Sequence, residues 1–251
     1  IAKRLQYRIK PTVIARDKDG NIVSLDNAKD DDPILEWIGY SNEAFRGNGS
    51  TPGWSGLIDL EHPQTSSATS KLVTPGSDLA TANTIIKALS YGDIDFAGAN
   101  KPALIFKQPM NFNNIWFSTP TDSNFSIKVG LTPDGNFSII DPPGVNAASR
   151  QNLPIHEHYY LAHTAYAIVP GTNTNQVNIP ADFNLTLHYN YQPWLGQDYN
   201  NNGQTAVLAE HVSLFRFRRD GDVIRLKLCL HDNNETGIGN FVVTCKERIV
   251  Y

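Results

Sequence analysis

Three short stretches of this chain carry residue types that do chemistry. In GQDYNNNGQT, Asp198, Asn200, Asn202 and Gln204 fall on alternate positions, with Gly203 between the last two. This D-x-N-x-N-G spacing opens many calcium loops. Alternate side-chain oxygens converge on one ion, glycine permits the sharp turn, and the next backbone carbonyl adds a ligand. The twelfth position, which should bring a carboxylate, is Ala209, with Glu210 beside it. One formal negative charge predicts weak calcium binding. The competing reading is an Asn/Gly-rich connection between strands, whose residues tolerate left-handed backbone. DNNETG at 232–237 is a weaker second stretch of the same kind, and DKDGNI at 17–22 reads as a turn because its glycine comes too early for an EF-hand loop.

The second stretch is HEHYY at 156–160. A zincin motif needs its second histidine at position 160, which is Tyr160, so the helical arrangement is excluded. On a strand His156 and His158 would share one face, and His163 would fall on the other, which argues against a three-imidazole zinc or copper site. An enzyme built here would need His156 or His158 to converge with a carboxylate such as Glu157 or Asp59 around a pocket. The third stretch, GWSGL at 53–57, matches a nucleophile elbow except at its last position, where Leu57 replaces the required glycine, so a surface turn is expected. Neither GxGxxG after a strand nor GxxxxGK[ST] occurs. No catalytic residue is therefore assigned. Trp54, Trp194 and Tyr199 lie in polar, Gly/Pro-containing surroundings; exposed, they would stack on sugars or anchor a protein, and buried, they would plug the space beneath long loops.

The elements that must position these groups are mostly strands. Cys229 and Cys245 are the only cysteines and bracket a polar loop between two strand-like runs at the end of the chain. An even pair in this layout reads as one structural disulfide and an oxidising compartment, the alternative being two reduced thiols packed as small hydrophobes. On the first run Ile224, Leu226, Leu228 and Leu230 share one face and Cys229 and His231 the other. On the second, Cys245 falls in register with Phe241 and Val243, on the apolar side. Cross-strand partners must face the same way, so a bridge predicts a bulge or an excursion between them.

Further candidate strands are 103–107, 114–118, 125–131, 137–140, 156–169, 184–190, 207–218, 222–230 and 240–250, with TPDGN and RRDGD as hairpin turns. Two helices are expected. Ile1, Leu5 and Ile9 recur every fourth residue within IAKRLQYRIK, an apolar stripe that starts without an N-cap and so reads as the lower end of a longer helix. Leu79, Ala82, Ile85, Ile86 and Leu89 form a second stripe, with Ser77 as the expected N-cap and Gly92 closing the run. The fold class expected is α+β, helices early and antiparallel sheet late. A single domain spans 1–251: a helix end and exit over 1–16, an irregular region with the second helix over 17–100, and an antiparallel β region over 101–251.

The 251 residues are 40% hydrophobic and 18% charged, enough to bury a sizeable core. A net charge of −4 with mixed signs argues against nucleic-acid or anionic-membrane partners, and no apolar run is long enough to cross a bilayer. The chain opens at Ile1, which with the cysteine pair suggests a trimmed form of a longer protein.

Several segments together resemble the type IV pilin-like proteins, specifically the large minor pseudopilin J of type II secretion systems and its minor-pilin W relatives. RLQYRIKPTVIARD resembles the end of the long pilin helix, and KPALIFKQ a strand after the second helix. YYLAHTAYAIV, LTLHYNYQPW and LAEHVSLFRFRRDGDVIRLKLCL are similar to the family's succession of strands, and IRLKLCL with VTCKERIVY resembles its C-terminal disulfide-bonded region. The family's processing site and hydrophobic helix lie outside this chain, and the stretch 30–76 exceeds the compact pilin plan.

The resemblance implies a non-catalytic subunit at or near the tip of a type II secretion pseudopilus or type IV pilus. It would contact other minor subunits, and a secreted substrate, through its head, with Leu5 and Ile9 on the remaining helix-bundle face. The same resemblance implies an extracytoplasmic location, an inner-membrane anchor before assembly and no required cofactor, calcium being the one candidate ion. The alternative is an extracellular carbohydrate- or protein-binding β-rich module.

Overall fold

The computed structural model describes residues 13–29, 33–106, 126–140, 155–171, 182–221, 223–232 and 242–250. Leu5, Ile9 and the candidate strand at 114–118 lie outside the described residues. Twelve strands and two short α-helices occur within them. They are β1 (Val13–Arg16), β2 (Ile22–Ser24), β3 (Ile34–Tyr40), α1 (Asn42–Phe45), β4 (Lys71–Leu72), α2 (Leu79–Leu89), β5 (Ala103–Phe106), β6 (Ser126–Leu131), β7 (Phe137–Ile139), β8 (Tyr159–Pro170), β9 (Phe183–Tyr191), β10 (Gln204–Asp220), β11 (Val223–His231) and β12 (Val243–Val250).

The α+β expectation is thereby corrected to a β-dominated fold. The fold differs early in the chain, where the region read as irregular, 17–100, supplies three strands and the stretch read as a helix end and exit, 1–16, supplies a fourth. Short apolar runs such as VIAR and ILEWIGY carry too few residues for a period to be read, and pairing with distant strands decides them. Seven consecutive residues of β3 are buried, which a strand achieves only when both of its faces are covered.

The described chain forms two compact units, with β3 and β8 each contributing residues to both. In the first unit β1 pairs with β2 and β3, and β8 to β12 follow one another by antiparallel pairing. Its core brings Val13, Leu35 and Trp37 together with Tyr166, Ile168, Leu185, Val212, Phe217, Ile224 and Val250. Trp37 stacks on Tyr166 with ring centroids 5.4 Å apart. The RRDGD turn joins β10 to β11 as expected, Asp220 pairing with Val223 around Gly221 at φ +61°.

In the second unit β5 pairs with β8 and β6, and β7 with β6 and β4, all antiparallel. TPDGN turns β6 into β7: the Thr132 N–H donates to the Asn136 carbonyl, and Gly135 takes φ +78°. Helix α2 lays Leu79, Ala82 and Ile86 on a core containing Ile58, Leu104, Phe106, Phe137, Tyr159 and Leu161. Its N-cap is Asp78, one residue later than expected: its Oδ1 accepts from the Thr81 N–H, while the Ser77 hydroxyl accepts from the Ser55 N–H. Asp suits the position equally and adds a negative charge at the helix N-terminus.

Strand β10 departs from a regular ladder. Its register slips between Val207 and Ala209 and between Ala209 and Val212 against β9, and between Val212 and Leu214 against β11. Each slip places an extra β10 residue opposite a partner strand, re-aiming the side chains around it.

Candidate metal centre

The irregularity of β10 places one side chain unusually. His211 sits in the second bulge with φ +55°, a left-handed backbone that a non-glycine residue adopts only where the surroundings hold it. Val212 pairs with Phe183 on one side and Leu230 on the other, so Asp182 just before β9 and His231 at the end of β11 flank the bulge. The ligand atoms of Asp182, His211 and His231 all lie within 4.8 Å of one another. Asp182 Oδ1 is 3.4 Å from His211 Nδ1 and 3.2 Å from His231 Nε2, and the two rings meet edge to face at 5.4 Å. The side chains of His231 and Asp182 are nearly sealed, at 2% and 11% exposure, whereas that of His211 keeps 34%. His211 Nδ1 is buried and makes no hydrogen bond among the described residues. Two imidazoles, from β10 and β11, and a carboxylate just before β9 form a donor set able to hold a divalent ion.

Sequence reasoning missed this group. Its members are far apart in the chain and carry no short spacing, and His231 was assigned to the polar face of its strand. Along β11 the expected alternation inverts at the C-terminal end: Ile224 is buried as predicted, but Cys229 and His231 are also buried and Leu230 is exposed. Only the neighbours supplied by β9 and β10 make that face interior.

The predicted groups go elsewhere. His163 is buried and bonded through Nδ1 to the Ser41 hydroxyl at 2.7 Å, His156 packs its ring against Phe106, and His158 is exposed with Glu157 3.9 Å away. These three form no metal-holding group among the described residues. Asp59 accepts from the Glu61 and His62 N–H groups in a turn. Residues 198–203 form turns leading to β10, where Gln204 is the first residue. Gly203, at φ +80°, is required there because a Cβ would strike the Tyr189 carbonyl oxygen. Asp198, Asn200 and Asn202 each engage other groups of the protein.

Trp54 and Trp194 are interior plugs. Trp54, 4% exposed, donates to the Ser41 carbonyl and packs against Phe45 and Tyr159, and Trp194 donates to the Lys101 carbonyl. Tyr199 is half-buried, with the Arg16 guanidinium 5.3 Å from its ring centre and His188 at its edge.

Cys229 and Cys245 are bonded, with Cα atoms 4.0 Å apart. They pair directly in a ladder that runs without a shift from Ile224↔Val250 to His231↔Val243, so among the described residues no bulge separates them. Val243 is 51% exposed, so its hydrophobicity marks no core face and the parity of Cys245 requires no bulge. On β12 every residue from Val243 to Ile249 is exposed, and hydrophobicity does not mark a buried face there.

Comparison with protein-family models, with curated proteins and with solved structures finds no significant match.

Proposed function

We propose that this chain is a non-catalytic subunit of an extracytoplasmic filament, of the minor pseudopilin or minor pilin kind, that joins its neighbours through the β12 edge. The reading rests on one observation, the disulfide that fastens an exposed terminal strand to the rest of its sheet. Among the described residues β12 ends the order of paired strands, and it is bonded to β11 at its third residue, Cys245. An edge strand offers a row of backbone donors and acceptors to another chain. Anchoring it covalently keeps that row in shape, and a structural disulfide belongs to an oxidising compartment. The β-dominated fold lends no support to a helix-plus-sheet plan, and the resemblance of the C-terminal segments to a pilin's disulfide-bonded region is what accompanies the bridged edge.

Among the described residues no helix is long and apolar enough to cross a membrane. The alternative of a carbohydrate-binding module keeps one of its three stacking candidates, since Trp54 and Trp194 are interior and Tyr199 is half-buried. A protein-binding module would use the same edge, and the identity of the neighbour separates the two.

A photo-crosslinking residue placed at Lys246 or Arg248, both exposed on β12, tests the proposal in the native host. Adducts with pilin-like subunits are expected. Adducts confined to unrelated proteins, or no adduct from either position, overturn it.

A further inference from the structure

We propose that Asp182, His211 and His231 bind a divalent transition metal of the zinc class, a site independent of the filament reading. Four features of the geometry lead there.

The first is spacing. A zinc ion with bonds of about 2.0 to 2.1 Å in tetrahedral array holds its ligand atoms about 3.3 Å from one another. The two separations from Asp182 Oδ1, 3.2 and 3.4 Å, match that edge length.

The second is the direction of the ring hydrogens. His231 Nδ1 lies 3.1 Å from the carbonyl oxygen of Asp232. A carbonyl only accepts, so Nδ1 carries a hydrogen, and Nε2 is the ring nitrogen left facing Asp182. A divalent cation between Nε2 and the carboxylate would be met by the Nε2 lone pair and a carboxylate oxygen in shared coordination. A ring nitrogen held by a backbone carbonyl while the other meets the metal is the usual outer-shell arrangement for a histidine ligand.

The third is the strained backbone of His211. A bulge with positive φ holds the imidazole over the ends of β9 and β11, and such strain concentrates where side-chain placement matters. The fourth is the donor set. Two nitrogens and one carboxylate oxygen suit zinc and its neighbours, whereas calcium takes six to eight oxygens. Three protein ligands would leave one coordination position for water or an exogenous donor, and the 34% exposure of the His211 side chain leaves the group accessible to solvent. The bound ion would tie the ends of β9, β10 and β11 together, two residues along β11 from Cys229.

The test is calorimetric titration of the chelator-treated, disulfide-intact protein with zinc chloride, paired with cobalt(II) absorption spectroscopy. Expected are saturable 1:1 binding, a rise in melting temperature at saturation, and the visible bands of four-coordinate cobalt. His211→Asn removes the imidazole while keeping a residue that tolerates left-handed backbone, and Asp182→Asn removes the charge at nearly constant shape. Each should weaken zinc binding by about 100-fold or more, beyond the ten- to hundredfold typical of outer-shell changes. His158→Asn, at an exposed ring, should leave it unchanged. Two results overturn the proposal. One is no saturable zinc binding and no cobalt bands in the unaltered protein, which would make the cluster an imidazolium–carboxylate pair. The other is binding that survives His211→Asn in a variant with an unaltered circular dichroism spectrum.

Discussion

Glu36 lies on β3 with no exposed surface, and a carboxylate so placed is tolerated only when its charge is answered locally. Arg16 Nε approaches Glu36 Oε2 at 2.5 Å, and the Tyr191 hydroxyl donates to Oε1 at 2.8 Å. Burial, and then the neighbouring carboxylate, pushes the Tyr191 phenol well above its ordinary pKa, which keeps it a hydrogen donor to Glu36 at neutral pH. Arg16→Ala leaves the carboxylate sealed without its cation and should cost about 3 to 5 kcal/mol in chemical denaturation, whereas the double change Glu36→Gln with Arg16→Met should cost much less. For the loop carrying Asp198, one carboxylate implies that micromolar calcium leaves the melting temperature unmoved; a rise abolished by Asp198→Asn would show that the loop binds tightly after all. None of the first set was legible in the sequence. Arg16, Glu36 and Tyr191 come from three distant strands, and nothing local marks Glu36 as interior, just as nothing local marks Asp182, His211 and His231 as neighbours.

Among the elements, α2 and the β11–β12 hairpin show where local signals suffice. The apolar spacing of α2, its acidic cap and the glycine beyond its end all act within the segment itself, so the helix was readable to within a residue. Near its C-terminus Lys87 pairs with Asp95 at 2.7 Å, and the Ala97 N–H and the Asn83 amide donate to the same carboxylate. These contacts, that of Lys87 foremost, lower the Asp95 pKa to about 2. An unfolded-state aspartate titrates near 3.9, so the ionised form stabilises the fold above about pH 4, and this contribution fades as pH falls toward 2. Lys87 is half-exposed, which limits its share to about 1 kcal/mol or less. Lys87→Met should therefore reduce stability slightly at pH 7 and flatten its decline between pH 4 and 2, measured by urea denaturation across that range. For the hairpin, the bridge closes a loop of sequence separation 16. Cys229→Ala with Cys245→Ala should lower stability by about 3 kcal/mol on the loop-entropy account, read from the same denaturation curves.

For the molecule as a whole, an edge left unpaired among the described residues is both an opportunity and a hazard. β12 carries Lys246, Glu247 and Arg248 at its centre, and Arg225 of β11 reaches Glu247 at 3.5 Å. Charges on an exposed edge discourage indiscriminate pairing. Lys246→Val with Arg248→Val should leave the fold intact and promote self-association, seen as a concentration-dependent rise in mass by light scattering; a monomer at all concentrations would show that the edge is guarded in another way.

What the sequence determined by itself is the position of most strands after residue 100, the two hairpin turns, helix α2 and the pairing of its two cysteines. Each depends on signals within a few residues: period-two alternation, Gly/Asn turn chemistry, cap spacing and cysteine count. Tertiary structure alone decided that the early region is also β, that Cys229 and His231 face inward while Leu230 does not, and that an aspartate and two histidines meet at one end of the first unit's sheet. The reason is register. A shift of one residue changes which face of a strand is buried, and the bulges that set the shift in β10 answer to β9 and β11 rather than to the residues of β10 alone.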